Sequence, residues 1–241
     1  MRVAVLLPAR NEEEAIGPTL AEIAAQRPAQ LIVADNGSTD RTAERAAALG
    51  ATVVHEPRPG YGRACLAALS ALDPSIEIVV FMDADGSDDP AFLPRLLEPI
   101  LQREADFVIG VRSAAHGKSR SLPVHQEWGN RICAAFLRLL YRVPCSDLGP
   151  FRAIRRDALD QLGMCHPDFG WTAEMQVKAA IAGLRVREIP LPHRPRRAGK
   201  SKISGTLRGT VLAGSKILWT IARYRFFPPA DAPGKLKQPL P

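Results

Sequence analysis

Ile76-Glu77-Ile78-Val79-Val80-Phe81-Met82 runs directly into Asp83-Ala84-Asp85. The run Ile76–Met82 is the most apolar strand in the chain. Its length and β-branched content fit a strand covered on both faces, as in a parallel sheet. Upstream, Val3–Leu7, Leu31–Ala34 and Ala51–His55 read as further strands, and Phe107–Gly110 as a fifth. Between them, residues 15–26, 41–49 and 61–72 carry helical spacing, with Ile16, Leu20 and Ile23 on one face of the first. Thr39 or Asp40 is placed to cap the second helix. Strand and helix in alternation predict right-handed βαβ units and a mostly parallel central sheet flanked by helices, an α/β fold. In such sheets a ligand sits at the carboxyl ends of the strands. Three polar clusters, residues 8–14, 35–40 and 83–89, each follow a strand, so they are expected to converge on one cleft.

Asp83 and Asp85 carry the strongest chemical signal. Residues i and i+2 of an extended segment point the same way. Two adjacent carboxylates repel unless a cation joins them. A hard divalent ion such as Mg²⁺ or Mn²⁺ takes oxygen ligands and keeps positions for substrate phosphates. A solvated acidic turn is the plainer alternative, because Asp88 and Asp89 follow. An EF-hand is excluded: its sixth position would be Asp88 and its twelfth Pro94. Pro8-Ala9-Arg10-Asn11-Glu12-Glu13 stands at a nucleotide position for such folds, without the G-x-G-x-x-G fingerprint after strand one. Glu12–Glu14 would also favour a helix start. In Asp35–Asp40 a strand-end Asp can accept from a base or ribose, or simply close a turn. No hydrolase elbow is present. His55, His116, His125, His166 and His193 show no metal-ligand spacing and are assigned surface or packing roles.

Composition sets the outer limits. The chain has 241 residues, 46% hydrophobic and 24% charged, which excludes wholesale disorder. Cys65, Cys133, Cys145 and Cys165 form no C-x-x-C pair, which argues against a zinc site or disulfide framework and for a reduced, cytoplasmic setting. The first residues do not read as a secretory signal. No apolar run reaches membrane-spanning length; the longest, Val211–Ala222, is broken by Lys216.

The net charge of +7 is unevenly placed: residues 185–241 hold 13 Lys/Arg against 2 Asp/Glu, residues 1–184 hold 19 against 23. A basic C-terminal quarter predicts an anionic partner there. Within it, Arg194–Lys202 is a cationic loop suited to phosphate. It has no aromatic residue for base stacking, so nucleic acid is not the expected partner. Residues 125–141 read as a helix with Trp128, Ile132, Phe136, Leu139 and Leu140 on its buried side. Phe151–Ile154 and Leu184–Ile189 read as strands, and 171–182 and 204–226 as helices. Glu174 is a candidate general base or a helix-start acid. The last helix is rich in apolar residues, among them Val211, Leu212 and Trp219, with Arg208, Lys216, Arg223 and Arg225 beside them. It fits packing against the core, a homodimer contact, or an interfacial helix on an anionic leaflet, a peripheral membrane contact. The tail 228–241 reads as disordered.

The motifs taken together, in their order and spacing, resemble the inverting family 2 glycosyltransferases. Their closest likeness is to the polyprenyl-phosphate (dolichyl-phosphate) mannosyl- and glucosyltransferases. The resemblance rests on Pro8–Glu12, Val33–Asp40, Asp83–Asp85, Val108–Arg112, Asp147–Arg152 and Arg196–Lys202, and spans residues 2–224. It implies a single GT-A domain over residues 1–227, with a nucleotide-sugar-binding half (1–111) and an acceptor-binding half (112–227). It further implies that Pro8, Arg10, Glu12, Val33 and Asp35 hold base and ribose. Asp83 and Asp85 would hold the metal and diphosphate, with the Ala84 backbone nearby, and Arg112, Arg196 and Lys202 the phosphates. The implied reaction moves a hexose from UDP-glucose or GDP-mannose to a polyprenyl phosphate at the cytoplasmic face of a membrane. A hydroxyl acceptor would instead need Glu174 as base, and a sugar nucleotidyltransferase is a more distant alternative. Ser87 and Arg10 depart from the family pattern, standing where Gln and an aromatic residue are frequent.

Overall fold

The computed structural model describes residues 1–113, 124–198 and 207–227. The readings of Lys202, His116 and the 228–241 tail lie outside the described residues. Seven strands form one sheet in the order β3-β2-β1-β4-β6-β5-β7. These are β1 (Val3–Ala9), β2 (Gln30–Asp35), β3 (Thr52–His55), β4 (Ile78–Phe81), β5 (Phe107–Ser113), β6 (Arg152–Arg155) and β7 (Val186–Pro192). All neighbours run parallel except β6, which is antiparallel to both β4 and β5. The expected mostly parallel α/β sheet is the one observed.

Strand side chains alternate between two cores. Val5, Leu7, Ile78 and Val80 face one cluster, while Ala4, Leu6, Val79 and Phe81 face the other. Both faces are covered by helices, so the strands are continuously apolar rather than alternating. The first cluster packs α1 (Glu13–Ala25) and α4 (Leu93–Leu101). The second packs α3 (Tyr61–Ser70), α6 (Arg156–Leu162) and α7 (Trp171–Ile181). α2 (Thr42–Ala48) lies beside α1. Its start is held by Asp40, whose Oδ1 accepts from the Thr42 N–H at 3.0 Å. A third cluster joins α5 (Val124–Tyr141), α7 and α8 (Leu207–Phe226).

One expectation needs correction, and two helices lie in stretches to which the sequence reading assigns no element. α4 is one of them; its Pro94 sits in the first turn, where no N–H is needed. α6 was likewise absent from the sequence reading. The correction concerns α5, whose inward side carries Cys133, Ala134, Leu137 and Tyr141, all buried. Trp128, Ile132, Phe136 and Leu139 are exposed, and Leu140 is half-buried. The large residues expected inside form the outer stripe, because α7 and α8 cover the opposite side, where Leu137 joins the third cluster and the Tyr141 hydroxyl reaches the Ile221 carbonyl.

Candidate active site

The cleft opens where the chain order reverses, with β2 and β3 on one side of β1 and β4 on the other. This is the switch point at which α/β sheets bind ligands. Its volume is about 320 Å³. Pro8, Arg10, Glu12, Asp83, Ala84, Asp85 and Arg196 all line it, so all three post-strand clusters meet there as expected, the second through Asn36. The loop after β1 is fixed by that after β2: Asn11 N–H donates to Ser38 Oγ (2.9 Å) and Thr39 N–H to Asn11 Oδ1 (2.7 Å). Asn11 adopts φ +51°, a left-handed conformation that Asn tolerates better than most residues.

The acidic turn after β4 is built by its own side chains. Asp85 Oδ1 accepts from the Ser87 N–H (2.8 Å), and Asp88 Oδ2 accepts from the Asp83 N–H (3.1 Å). Gly86, at φ +75°, makes the reversal. Asp85 and Asp88 are buried. Burial, together with the neighbouring Asp85 and Asp88 charges, holds the Asp83 carboxyl well above its ordinary range. A cluster of oxygen donors that raises its own proton affinity in this way is one a hard dication would relieve. The donor chemistry therefore fits Mg²⁺ or Mn²⁺. Among the described residues no three His, Cys, Asp or Glu side chains surround a common centre.

The basic loop closes one wall. Arg196 Nη2 lies 2.7 Å from Asp85 Oδ2, and its Nη1 lies 3.6 Å from Glu12 Oε1. The Arg197 N–H donates to the Asp85 carbonyl (3.0 Å) and the Arg194 N–H to that of Ser87 (2.9 Å). The guanidinium groups of Arg194 and Arg197 both bind Glu22 of α1.

The other predicted residues are placed differently. Arg112, at the end of β5, is largely buried and clamped by Asp147, through Nε (2.8 Å), Nη2 (2.5 Å) and its own N–H (2.9 Å). Burial opposes the Asp147 charge, but this clamp holds the carboxyl below its usual range. Asp35 is buried, accepting from the Ser38 N–H (3.3 Å) and facing His55 Nδ1 (3.3 Å). It stands beside the cleft rather than in its wall. Val33 is fully buried in the first core cluster and does not reach the cleft.

Glu174 is not brought to the cleft either. It is fully buried, accepting from the Cys165 and His166 N–H groups (3.2 and 2.8 Å) and the Tyr224 hydroxyl (2.8 Å), with Lys178 Nζ at 3.0 Å. Burial opposes its charge, yet these partners keep its carboxyl below the ordinary value. A carboxylate so engaged is a structural anion. The base expected for a hydroxyl acceptor is absent from its expected place.

Asp168 and Phe169, which no motif singles out, also line the cleft, together with Asn36 of the second polar cluster and with Gly60 and Tyr61. Asn36 donates to the Glu56 (3.0 Å) and Arg58 (2.8 Å) carbonyls and accepts from the Gly60 N–H (2.9 Å), which fixes the 56–60 wall. Gly60-Tyr61-Gly62 holds two glycines after β3 without a third, an incomplete glycine pattern. A Cβ at Gly62 would strike the His166 carbonyl, so the glycine permits the close approach of the 166–169 segment. Lys216 of α8 binds Asp168 and stands over the Phe169 ring at 5.4 Å.

Residues 4–163 match the profile described as Glycosyl transferase family 2. An uncharacterized glycosyltransferase of Mycobacterium tuberculosis is 44% identical over 88% of this chain and 94% of its own. The undecaprenyl-phosphate mannosyltransferase of Micrococcus luteus is 32% identical over 87% of this chain and 90% of its own. Among solved structures, glucosyl-3-phosphoglycerate synthase from M. tuberculosis, in complex with Mn²⁺, UDP-glucose and phosphoglyceric acid, superposes with a TM-score of 0.77. It is 27% identical, covering 95% of this chain and 81% of that one. The sheet, the cleft at its switch point and these matches agree: the chain belongs to glycosyl transferase family 2.

Proposed function

We propose that this protein transfers a hexose from a nucleotide diphosphate sugar to a polyprenyl phosphate, with a divalent cation, at the cytoplasmic face of a membrane. The observation that carries the reading is the joining of Asp83, Asp85 and Arg196 in one cleft with the post-β1 loop. The undecaprenyl-phosphate mannosyltransferase relative and the Mn²⁺–UDP-glucose complex of the structural neighbour support it.

The nucleotide lies along Pro8, Arg10 and Glu12, with Asp35 behind, and the diphosphate lies at Asp83–Asp85. Asp83 and Asp85 would hold Mg²⁺ or Mn²⁺, which when bound offsets charge on the leaving diphosphate. Arg196 stands where it can exchange Asp85 for a phosphate oxygen, and Arg112, preset by Asp147, adds fixed positive potential behind the turn. A phosphate oxygen of the acceptor attacks the anomeric carbon from the face opposite the diphosphate. The new C–O bond forms as the old one breaks, the electron pair leaves with the nucleoside diphosphate, and the configuration inverts. The acceptor is already anionic, so no protein base is required, consistent with Glu174 being sequestered.

The test is transfer of label from UDP-glucose and GDP-mannose into organic-extractable product, with polyprenyl phosphate and Mg²⁺ or Mn²⁺. Asp85→Ala is expected to lower that transfer by about 10²–10³-fold, by analogy with removing one transition-state contact. Label entering 3-phosphoglycerate and not the lipid would overturn the acceptor assignment and keep the donor site.

A further inference from the structure

α5 and α8 are packed as a pair. They bury Cys133, Leu137, Ile221 and Tyr224 in one cluster, and Tyr141 donates its hydroxyl to the Ile221 carbonyl at 2.8 Å. Their outward sides are apolar as well. On α5, Trp128, Ile132 and Leu139 are 60%, 54% and 73% exposed. Their spacing of four and seven residues aligns them on one stripe, with Phe136 beside it. On α8, Leu212, Trp219 and Phe226 recur every seventh residue and are 52%, 61% and 59% exposed. Large residues in such number on one helix pair are unusual for a surface facing only water.

The charge around these stripes has one sign. After Glu127, α5 and the residue following it carry Arg131, Arg138 and Arg142 and no acid. α8 carries Arg208, Lys216, Arg223 and Arg225 and no acid. Arg131 pairs with Glu127, Arg138 donates to the Cys145 carbonyl and Lys216 binds Asp168. Arg223 is exposed. Apolar stripes flanked by cations match a leaflet with an apolar interior and anionic headgroups. A symmetric protein contact would bring these cations against their own copies. Among the described residues no helix is long and apolar enough to cross a membrane. The surface also adjoins the cleft, because Lys216 reaches the Asp168 and Phe169 wall.

We propose that the joint outer face of α5 and α8 docks on an anionic lipid leaflet and holds the cleft beside the headgroups. This rests on the polyprenyl-phosphate reading for its purpose, though not for the binding itself. The experiment is co-sedimentation of the full chain with vesicles of phosphatidylcholine alone, or mixed equally with phosphatidylglycerol. The Trp128→Glu/Trp219→Glu double variant and Arg223→Glu are run beside it, and sedimentation velocity gives the oligomeric state without lipid. The expected result is binding to the mixed vesicles, weakened about tenfold or more in the double variant and less in Arg223→Glu. The double variant should keep wild-type transfer to a water-soluble short-chain prenyl phosphate. Binding that the double variant leaves unchanged would overturn the proposal. So would failure of the wild type to bind, including the case of a dimer that the double variant splits. Vesicle binding with no transfer to any prenyl phosphate would sink the acceptor assignment while the docking face stands.

Discussion

Glu174 shows how one residue type in one place can serve two ends. Its position at a helix start fits a catalytic base, but its oxygens are taken by Cys165, His166, Lys178 and Tyr224. Its carboxyl is held below the ordinary value, so its charge stabilises the fold above the usual carboxylate range. That stability is lost as pH falls through the lowered value. Glu174→Gln is therefore expected to flatten the acid limb of Tm against pH, from neutral down through the carboxylate range. Lys178→Met, which leaves the anion buried without its cation, should cost about 3–5 kcal/mol by chemical denaturation. At this scale the cleft was legible where chemistry directly follows a strand: Pro8–Glu12 and Asp83–Asp85 could be placed from order alone. Asp168 and Phe169 could not, since they reach the cleft only through the packing of the 166–169 segment on Gly62.

Elements buried on both faces, such as β1 and β4, announce themselves by continuous apolar content. α4 does not, since it is short and carries two prolines, of which Pro94 occupies a first-turn position that tolerates one. α5 was found with the right extent and the wrong side. Periodicity reports that a stripe exists, and the side that turns inward is decided by where the neighbouring helices α7 and α8 pack. The wall at residues 56–60 has no regular structure and depends on Asn36. Asn36→Ala would leave the Glu56 and Arg58 carbonyls and the Gly60 N–H without that partner, a loss of about 1–3 kcal/mol. Donor KM is expected to rise more than kcat falls, read from initial rates at saturating acceptor.

The whole molecule is one sheet whose order is not the order of the chain. β4 pairs with β6, some seventy residues later, and β5 pairs with β6 and β7. The third core cluster closes only when Ile221 and Tyr224 arrive, and Tyr224 also completes the partners of Glu174. α8 is made after every strand of the sheet and after α1–α7. A chain ending before Leu207 should therefore leave the inner side of α5 covered by α7 alone, with faster proteolysis and lower solubility than the chain that includes α8. During synthesis the ribosome must release the chain through α8 before this half can settle. Until then the nascent chain presents the kind of surface that chaperones recognise.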